Sequence, residues 1–197
     1  MKKIILTVIL ILISVMILPS CKKNDGQDRQ PCSPAGGQFD IRLIPEEWTV
    51  LTLSFEQSLN QLGIFHNASE TTFIINCYDK ASLASEKVSD INDFYDYYKT
   101  LGNENDSDES SGPEQTARTG DLVDVAKKDI GGSVVKTGKR QEFYTDNTNM
   151  GNFKSEIIYL ETENYFITIA YGNLSEKFDA SKKIANEIIS NIKTERK

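Results

Sequence analysis

The sequence is poor in the residues from which catalytic and metal sites are most often built. It has one histidine, His66, and three cysteines, Cys21, Cys32 and Cys77, with no Cys-x-x-Cys pair. Zinc sites need several histidine or cysteine ligands, so no metal site is predicted, and no cofactor motif is present. A Ser-His-Asp or Cys-His arrangement would have to use His66. Because His66 precedes Asn67 at a turn-like position, it is predicted to be a surface or turn histidine.

Positive charge is also scarce. The chain has 22 Lys and Arg side chains against 29 Asp and Glu side chains, a formal net charge of -7. Removal of an N-terminal leader that contains Lys2 and Lys3 leaves 20 basic against 29 acidic side chains. Phosphate backbones repel such a chain, so nucleic acid is not an expected partner.

One long apolar run is present, at the N-terminus. The positively charged Met1-Lys2-Lys3 precedes residues 4–18, which carry no charge. Fifteen residues rise about 1.5 Å each as a helix and fall short of a bilayer core of about 30 Å. The length favours a signal peptide over a membrane-spanning helix.

The residues after this run indicate lipidation. Leu18-Pro19-Ser20-Cys21 resembles the bacterial lipobox, although proline is unusual at its position. The resemblance implies that diacylglycerol is attached to Cys21 and that residues 1–20 are removed. The predicted location is the extracytoplasmic face of the cell membrane, held there by lipid on Cys21. The alternatives are an uncleaved anchor helix and a secreted protein without lipid.

The rest of the chain is predicted to contain a tether and one domain. Residues 21–37 combine Lys, Asn, Asp, Gln, Pro and Gly without an apolar period, as a flexible tether does. The domain is predicted over residues 38–197. Within it, residues 103–120 are rich in Asn, Asp, Glu, Ser and Gly and are predicted to form a mobile acidic loop.

Once Cys21 is lipidated, Cys32 and Cys77 remain as an even pair in an oxidising compartment. They form a disulfide between tether and domain, or Cys77 is a buried thiol and Cys32 a free thiol. The sequence leaves both open.

The spacing of apolar residues predicts strands and two helices. Alternation indicates strands at residues 39–43, 62–66, 71–78, 156–161 and 165–171. Further extended segments are predicted after residue 48 and over residues 123–130, 133–137 and 139–145, with a turn at Gly131-Gly132. Helical spacing indicates helices at residues 90–101, with Ser89 as N-cap, and 179–193. Because hairpins dominate, the predicted class is α+β, with helices packed on a mainly antiparallel sheet.

This order of elements resembles the PsbP/Mog1-like family. The matching features are Pro45-Glu46-Glu47-Trp48 after the first strand, the aromatic strand Tyr165-Phe166-Ile167-Thr168-Ile169 and the ending Ile188-Ile189-Ser190-Asn191-Ile192-Lys193. The resemblance covers about residues 39–193. It implies an α/β/α sandwich, and binding or assembly work more than catalysis.

Two acidic segments resemble the calcium-binding EF-hand loop only in part. Counting from Asn103, the glycine required at position 6 is replaced by Asp108. The segment from Asp146 to Gly151 has its glycine but lacks acidic residues between. Both are predicted to be solvated rather than metal-binding.

Several tyrosines either line a ligand groove or belong to the core, which their strand and helix spacing favours: Tyr95, Tyr97, Tyr98, Tyr144, Tyr165 and Tyr171. Tyr97 lies off the apolar stripe of its helix and is the candidate for an interaction surface.

The predicted function is that of a non-enzymatic binding or accessory lipoprotein that meets an unknown protein or small ligand. Two alternatives remain: a hydrolytic enzyme with an unrecognised carboxylate site, and an immunity-type protein that binds a toxin.

Overall fold

The computed structural model describes residues 29–34, 36–51, 60–103, 116–148 and 151–195. The predicted signal peptide and Cys21 lie outside the described residues, as does the acidic segment 104–115.

Ten strands are described, and every pairing between them is antiparallel. The strands are β1 (Gln30–Cys32), β2 (Phe39–Leu43), β3 (Trp48–Leu51), β4 (Gln61–His66), β5 (Thr71–Asp79), β6 (Thr116–Asp124), β7 (Thr137–Thr148), β8 (Gly151–Glu161), β9 (Tyr165–Leu174) and β10 (Ile192–Glu195). Seven form one sheet, in the order β3-β4-β5-β9-β8-β7-β6, and three form a smaller sheet, in the order β1-β2-β10.

The described helices are α1 (Lys80–Leu83), α2 (Ile91–Asn103), α3 (Lys127–Ile130) and α4 (Phe178–Ser190). Two short 3₁₀ helices lie at Pro45–Glu47 and Ala84–Glu86.

Apolar side chains on both faces of the larger sheet are buried, which gives three layers. On one face, Ile75, Ile158 and Ile169 pack against Ile188 of α4 and Ile41 of the smaller sheet. On the other face, Phe94 of α2 stacks on Phe166 of β9, with ring centroids 4.5 Å apart. The predicted α+β class is confirmed, and the layers form the expected α/β/α sandwich.

Gly138 shows how closely strands and loops approach within this sandwich. A Cβ atom there would lie 2.7 Å from Cδ2 of Leu160 and 2.9 Å from the carbonyl oxygen of Tyr159. The packing therefore leaves no room for a side chain at this position in β7.

The edge strand β6 is irregular. Its pairing with β7 shifts register between Thr119 and Leu122, which marks a β-bulge. Arg118, Asp121 and Asp124 are exposed along the strand.

Several boundaries differ from those predicted. Strand β1 lies inside the predicted tether 21–37, because it pairs with β2. Residues 116–120 of the predicted mobile loop 103–120 belong to β6. The last helix ends at Ser190, and Ile192 begins β10 beside β2, where a helix to residue 193 was predicted.

The start of α2 also differs from the prediction. Oδ1 of Asp90 accepts hydrogen bonds from the backbone N–H groups of Asn92 and Asp93. Asp90 rather than Ser89 is therefore the N-capping residue, and Ser89 instead donates to Asp93 from its backbone and its hydroxyl.

Candidate functional site

His66 was predicted to be a surface or turn histidine; it lies at the β4–β5 turn, as the second alternative has it, but it is buried, so the surface alternative is wrong. It ends β4, and its ring lies 4.7 Å from that of Trp48 in an edge-on arrangement. Nδ1 accepts a hydrogen bond from the backbone N–H of Ser69, and the Ser69 hydroxyl lies 2.8 Å from the same nitrogen. Burial lowers the pKa of His66, against the opposing effect of Glu47. His66 therefore caps the β4–β5 turn as a neutral ring that carries its proton on Nε2.

Cys77 and Cys32 both contribute to the main core. Cys77 is buried on β5 and Cys32 is half-buried on β1. Burial raises the pKa of the Cys77 thiol to about 12, and Glu195 and Asp79 add to this effect. Such a thiol is a poor nucleophile at neutral pH. A disulfide between Cys32 and Cys77 stays a prediction.

The six tyrosines named from the sequence do not line one groove. Tyr171 is completely buried in the main core, and Tyr144 lies at its charged margin beside Glu142. Tyr165 borders a cavity at one end of the sheet. Tyr95, Tyr97 and Tyr98 are half-buried on α2 against the opposite sheet face.

Tyr97 keeps part of its surface accessible, four residues before Leu101 on α2. Leu101 is 41% exposed, although it continues the apolar stripe of that helix. Tyr97 also packs against the core cluster that contains Phe94, and the interaction surface around it stays a prediction.

The main charged cluster of the core was not predicted from the sequence. Glu156 on β8 is fully buried. Its Oε2 accepts hydrogen bonds from Nη2 of Arg140, at 2.8 Å, and from the hydroxyl of Tyr171, at 2.5 Å. Burial, together with the Glu156 carboxylate, raises the pKa of Tyr171, so this hydroxyl stays protonated and acts as a donor.

The cluster continues toward the surface through Lys182 of α4. Its Nζ forms an ion pair with Glu142 and lies 3.7 Å from Oε1 of Glu156. Burial alone would raise the pKa of Glu142, but hydrogen bonds from Lys182 and Tyr144 lower it overall. Glu142 and Glu156 therefore each pair with a cation, as in a structural ion-pair network.

No sequence signal distinguished this cluster. Glu156 begins the apolar run Ile157-Ile158-Tyr159-Leu160, where a charged residue normally marks the solvent face or the end of a strand. Its partners Arg140 and Lys182 are 16 and 26 positions away, so only the tertiary fold brings them together.

A cavity of about 640 Å³ opens at the end of the sheet where β5 ends and β9 begins. Its described lining residues are Gly36, Gly37, Gln38, Asn60, Cys77, Asp79, Asn164 and Tyr165. Asp79 already accepts hydrogen bonds from Ala81 and Ser82 at the start of α1. The cavity therefore offers mainly amide groups and one tyrosine ring.

The described residues include no group of three His, Cys, Asp or Glu side chains placed to hold a metal ion. Of the two calcium-like segments, the first lies almost wholly outside the described residues. In the second, Asp146 forms an ion pair with Arg118 at 2.9 Å. None of the described helices has the length and apolar character needed to cross a bilayer.

Comparison with known proteins identifies the fold. The solution structure of cyanobacterial PsbP (CyanoP) from Synechocystis sp. PCC 6803 superposes with a TM-score of 0.54 at 11% identity, over 88% of this chain and 96% of that chain. A crystal structure from Bacteroides thetaiotaomicron VPI-5482 gives a TM-score of 0.50 at 14% identity, over 87% of this chain and 50% of that chain. The described domain therefore has the PsbP-like α+β fold.

The Saccharomyces cerevisiae Ran-binding protein Mog1p is a more distant structural match, with a TM-score of 0.40 at 9% identity over 85% of this chain and 88% of that chain. No protein-family model matches the sequence, and no curated protein is significantly similar to it.

Proposed function

We propose that the protein is a lipid-anchored, extracytoplasmic lipoprotein whose PsbP-like domain binds a partner rather than catalysing a reaction. The observation that carries the anchor is the sequence Leu18-Pro19-Ser20-Cys21 directly after an uncharged run too short to span a bilayer. Lipid on Cys21 supplies the membrane affinity, because each buried CH₂ contributes about 0.8 kcal/mol.

The binding role is supported by how the reactive groups of the described domain are used. His66 accepts a hydrogen bond from Ser69 and contacts the ring of Trp48. Glu142 forms an ion pair with Lys182, and Glu156 forms one with Arg140. These groups stabilise the fold. A general base would need to be free to meet a substrate.

The anchor is tested by labelling cells that express the protein with a clickable palmitate analogue. We expect labelled protein in the membrane fraction, and we expect Cys21→Ser to abolish both labelling and membrane association. Cys32→Ser is the matched control, because it removes a thiol eleven positions away and leaves the anchor intact. Equal labelling of the Cys21→Ser protein would refute lipidation at this residue.

The binding role is tested by crosslinking the lipidated protein in intact cells with a photoreactive amino acid at Tyr97, compared with one at Asp179 on the exposed start of α4. We expect a discrete adduct of defined mass at Tyr97. Absence of any adduct at either position would contradict the binding role.

A further inference from the structure

The structure shortens the tether that the sequence predicts. Gln30, Pro31 and Cys32 pair with Leu43, Arg42 and Ile41 of β2.

Arg29 is fixed as well. Its Nη2 lies 2.7 Å from Oε1 of Glu187 on α4, and its Nη1 donates to the carbonyl oxygen of Arg42 at 3.3 Å. The chain is therefore fastened to the domain from Arg29 onward, and only residues 22–28 separate that point from Cys21.

The length of this separation sets an upper limit on its reach. Eight Cα–Cα steps join Cys21 to Arg29, and each spans at most about 3.6 Å, so the two residues can be at most about 29 Å apart. A flexible chain of this length has an average span of about 15 Å.

The thickness of the domain is comparable with that limit. A helix with its side chains is about 10–12 Å across, and packed layers lie about 10 Å apart. The sandwich of α4, the larger sheet and α2 is therefore about 30 Å thick. Arg29 contacts α4, in the layer on the opposite side of the sheet from α2.

From these dimensions we infer that the layer formed by α4 and the three-stranded sheet faces the lipid surface, and that α2 faces away from it. This inference rests on the proposed lipid anchor at Cys21. If α2 lay against the bilayer, the whole sandwich would separate Arg29 from the lipid, and the tether would have to be fully stretched. With the layer of α4 and the three-stranded sheet toward the bilayer, the distance from Cys21 to Arg29 can be close to the average span of a flexible chain of that length.

Charge next to the anchor attracts the tether to the membrane but does not orient the domain. Lys22 and Lys23 directly follow Cys21, and basic residues beside a membrane are attracted to anionic headgroups. On the layer inferred to face the lipid, Arg42, Lys183 and Lys193 are exposed. Acidic residues, among them Asp179 and Glu187, lie on the same helix as Lys183, so tether length rather than charge determines the orientation.

The orientation is tested by energy transfer on vesicles. The lipidated protein carries Cys32→Ser and a single donor dye, either through Lys183→Cys on the outer face of α4 or through Lys99→Cys on the outer face of α2. Both lysines are exposed, and the buried Cys77 thiol is not expected to react. The vesicles contain phosphatidylethanolamine, phosphatidylglycerol and an acceptor-labelled lipid.

We expect severalfold more efficient transfer from position 183 than from position 99. Insertion of a flexible Gly/Ser segment of about 20 residues between Gly26 and Gln27 lengthens the tether without touching the domain, and it should make the two efficiencies nearly equal.

Equal transfer from both positions in the protein with its natural tether would overturn the inferred orientation. A difference that persists unchanged with the long tether would overturn tether length as its cause. Failure of the lipid anchor is recognised separately in the same sample, because an unlipidated protein would not float with the vesicles and would lack the lipid in its intact mass.

Discussion

Single polar residues join elements that are far apart in the sequence. The hydroxyls of Thr71 and Ser181 lie 2.7 Å apart, and Nδ2 of Asn173 donates to both, at 3.0 and 3.1 Å. These buried groups connect β5, β9 and α4, and each has a partner, so their burial carries no unpaired-group penalty. His66 performs a similar task within one turn.

Because burial lowers the pKa of His66, this residue should make the stability depend on pH. As the pH falls below about 6.5, the unfolded chain gains a proton that the folded state resists. The free energy of unfolding should therefore decrease between about pH 7 and pH 5.5, by at most about 1.4 kcal/mol per pH unit. Urea denaturation followed by far-UV circular dichroism at several pH values measures this slope.

The control is His66→Gln, which retains an acceptor for the Ser69 N–H and cannot titrate. This variant should show a flat profile in the same range, because Glu70, Asp93 and Glu142 have lowered pKa values and titrate at lower pH. A slope equal to that of the natural protein would assign the pH dependence to other groups.

Among the secondary-structure elements, α2 depends strongly on its first turn. Asp90 accepts two backbone hydrogen bonds there, and Asp93 accepts two from Ser89. These contacts satisfy N–H groups that have no partner within the helix, and the carboxylates complement its dipole. α2 carries Phe94, which stacks on Phe166, so its start also positions the second core.

Replacement of the capping residue, Asp90→Ala, should lower the free energy of unfolding by about 1 kcal/mol. Asp96→Ala on the exposed side of the same helix is the matched control. Asp96 lies 3.9 Å from Lys99 in a solvent-exposed pair, so its loss should cost a few tenths of a kcal/mol at most. Urea titration of both variants compares the two costs, and equal values would contradict the assignment of Asp90 as the cap.

The elements predicted correctly are those whose pattern is local. The aromatic strand at Tyr165 and the helix with Phe94 were found because alternation and helical spacing each continue over several residues. The spacing of Ile192 from Ile188 and Ile189 is also helical, so the pattern predicts Ile192 in the last helix. Only pairing with β2 places it in a strand, and the sequence does not display that pairing.

The charged site was missed for a related reason. A glutamate beside an apolar run is predicted to be exposed. Glu156 is instead buried, because the fold brings Arg140, Tyr171 and Lys182 into contact with its carboxylate. β1 was missed because three residues are too few to show a period. The helical repeat predicts Tyr97 off the apolar stripe of α2, whereas its half-buried side chain packs against the cluster that contains Phe94.

In the whole molecule, the two sheets share one core. Phe39 and Ile41 of the smaller sheet, Trp48 of the larger sheet and Ile188 of α4 belong to the same cluster of buried side chains. Because neither sheet buries its apolar face without the other, we expect them to unfold together.

Ile41→Ala tests this cooperativity. Ile41 is fully buried, and its truncation should lower the free energy of unfolding by about 2–5 kcal/mol. Trp48 is the single tryptophan of the chain. Its fluorescence should report the same shifted midpoint as far-UV circular dichroism, although it lies in the other sheet.

The neighbouring exposed substitution Arg42→Ala is the control and should change stability by about 0.5 kcal/mol or less. A fluorescence midpoint that stayed at its natural value in Ile41→Ala, while the dichroism signal changed earlier, would show that the smaller sheet unfolds independently.

The irregular edge strand β6 affects how readily molecules held close together on a surface would aggregate. Identical molecules confined to a surface meet far more often than molecules in solution, and an open strand edge is where two sheets join into aggregates. The bulge between Thr119 and Leu122 interrupts the straight ladder that such joining requires. Arg118, Asp121 and Asp124 place charges that the β6 strand of a second molecule would have to accommodate. The edge therefore disfavours strand pairing between neighbouring molecules, even where many of them share one membrane surface.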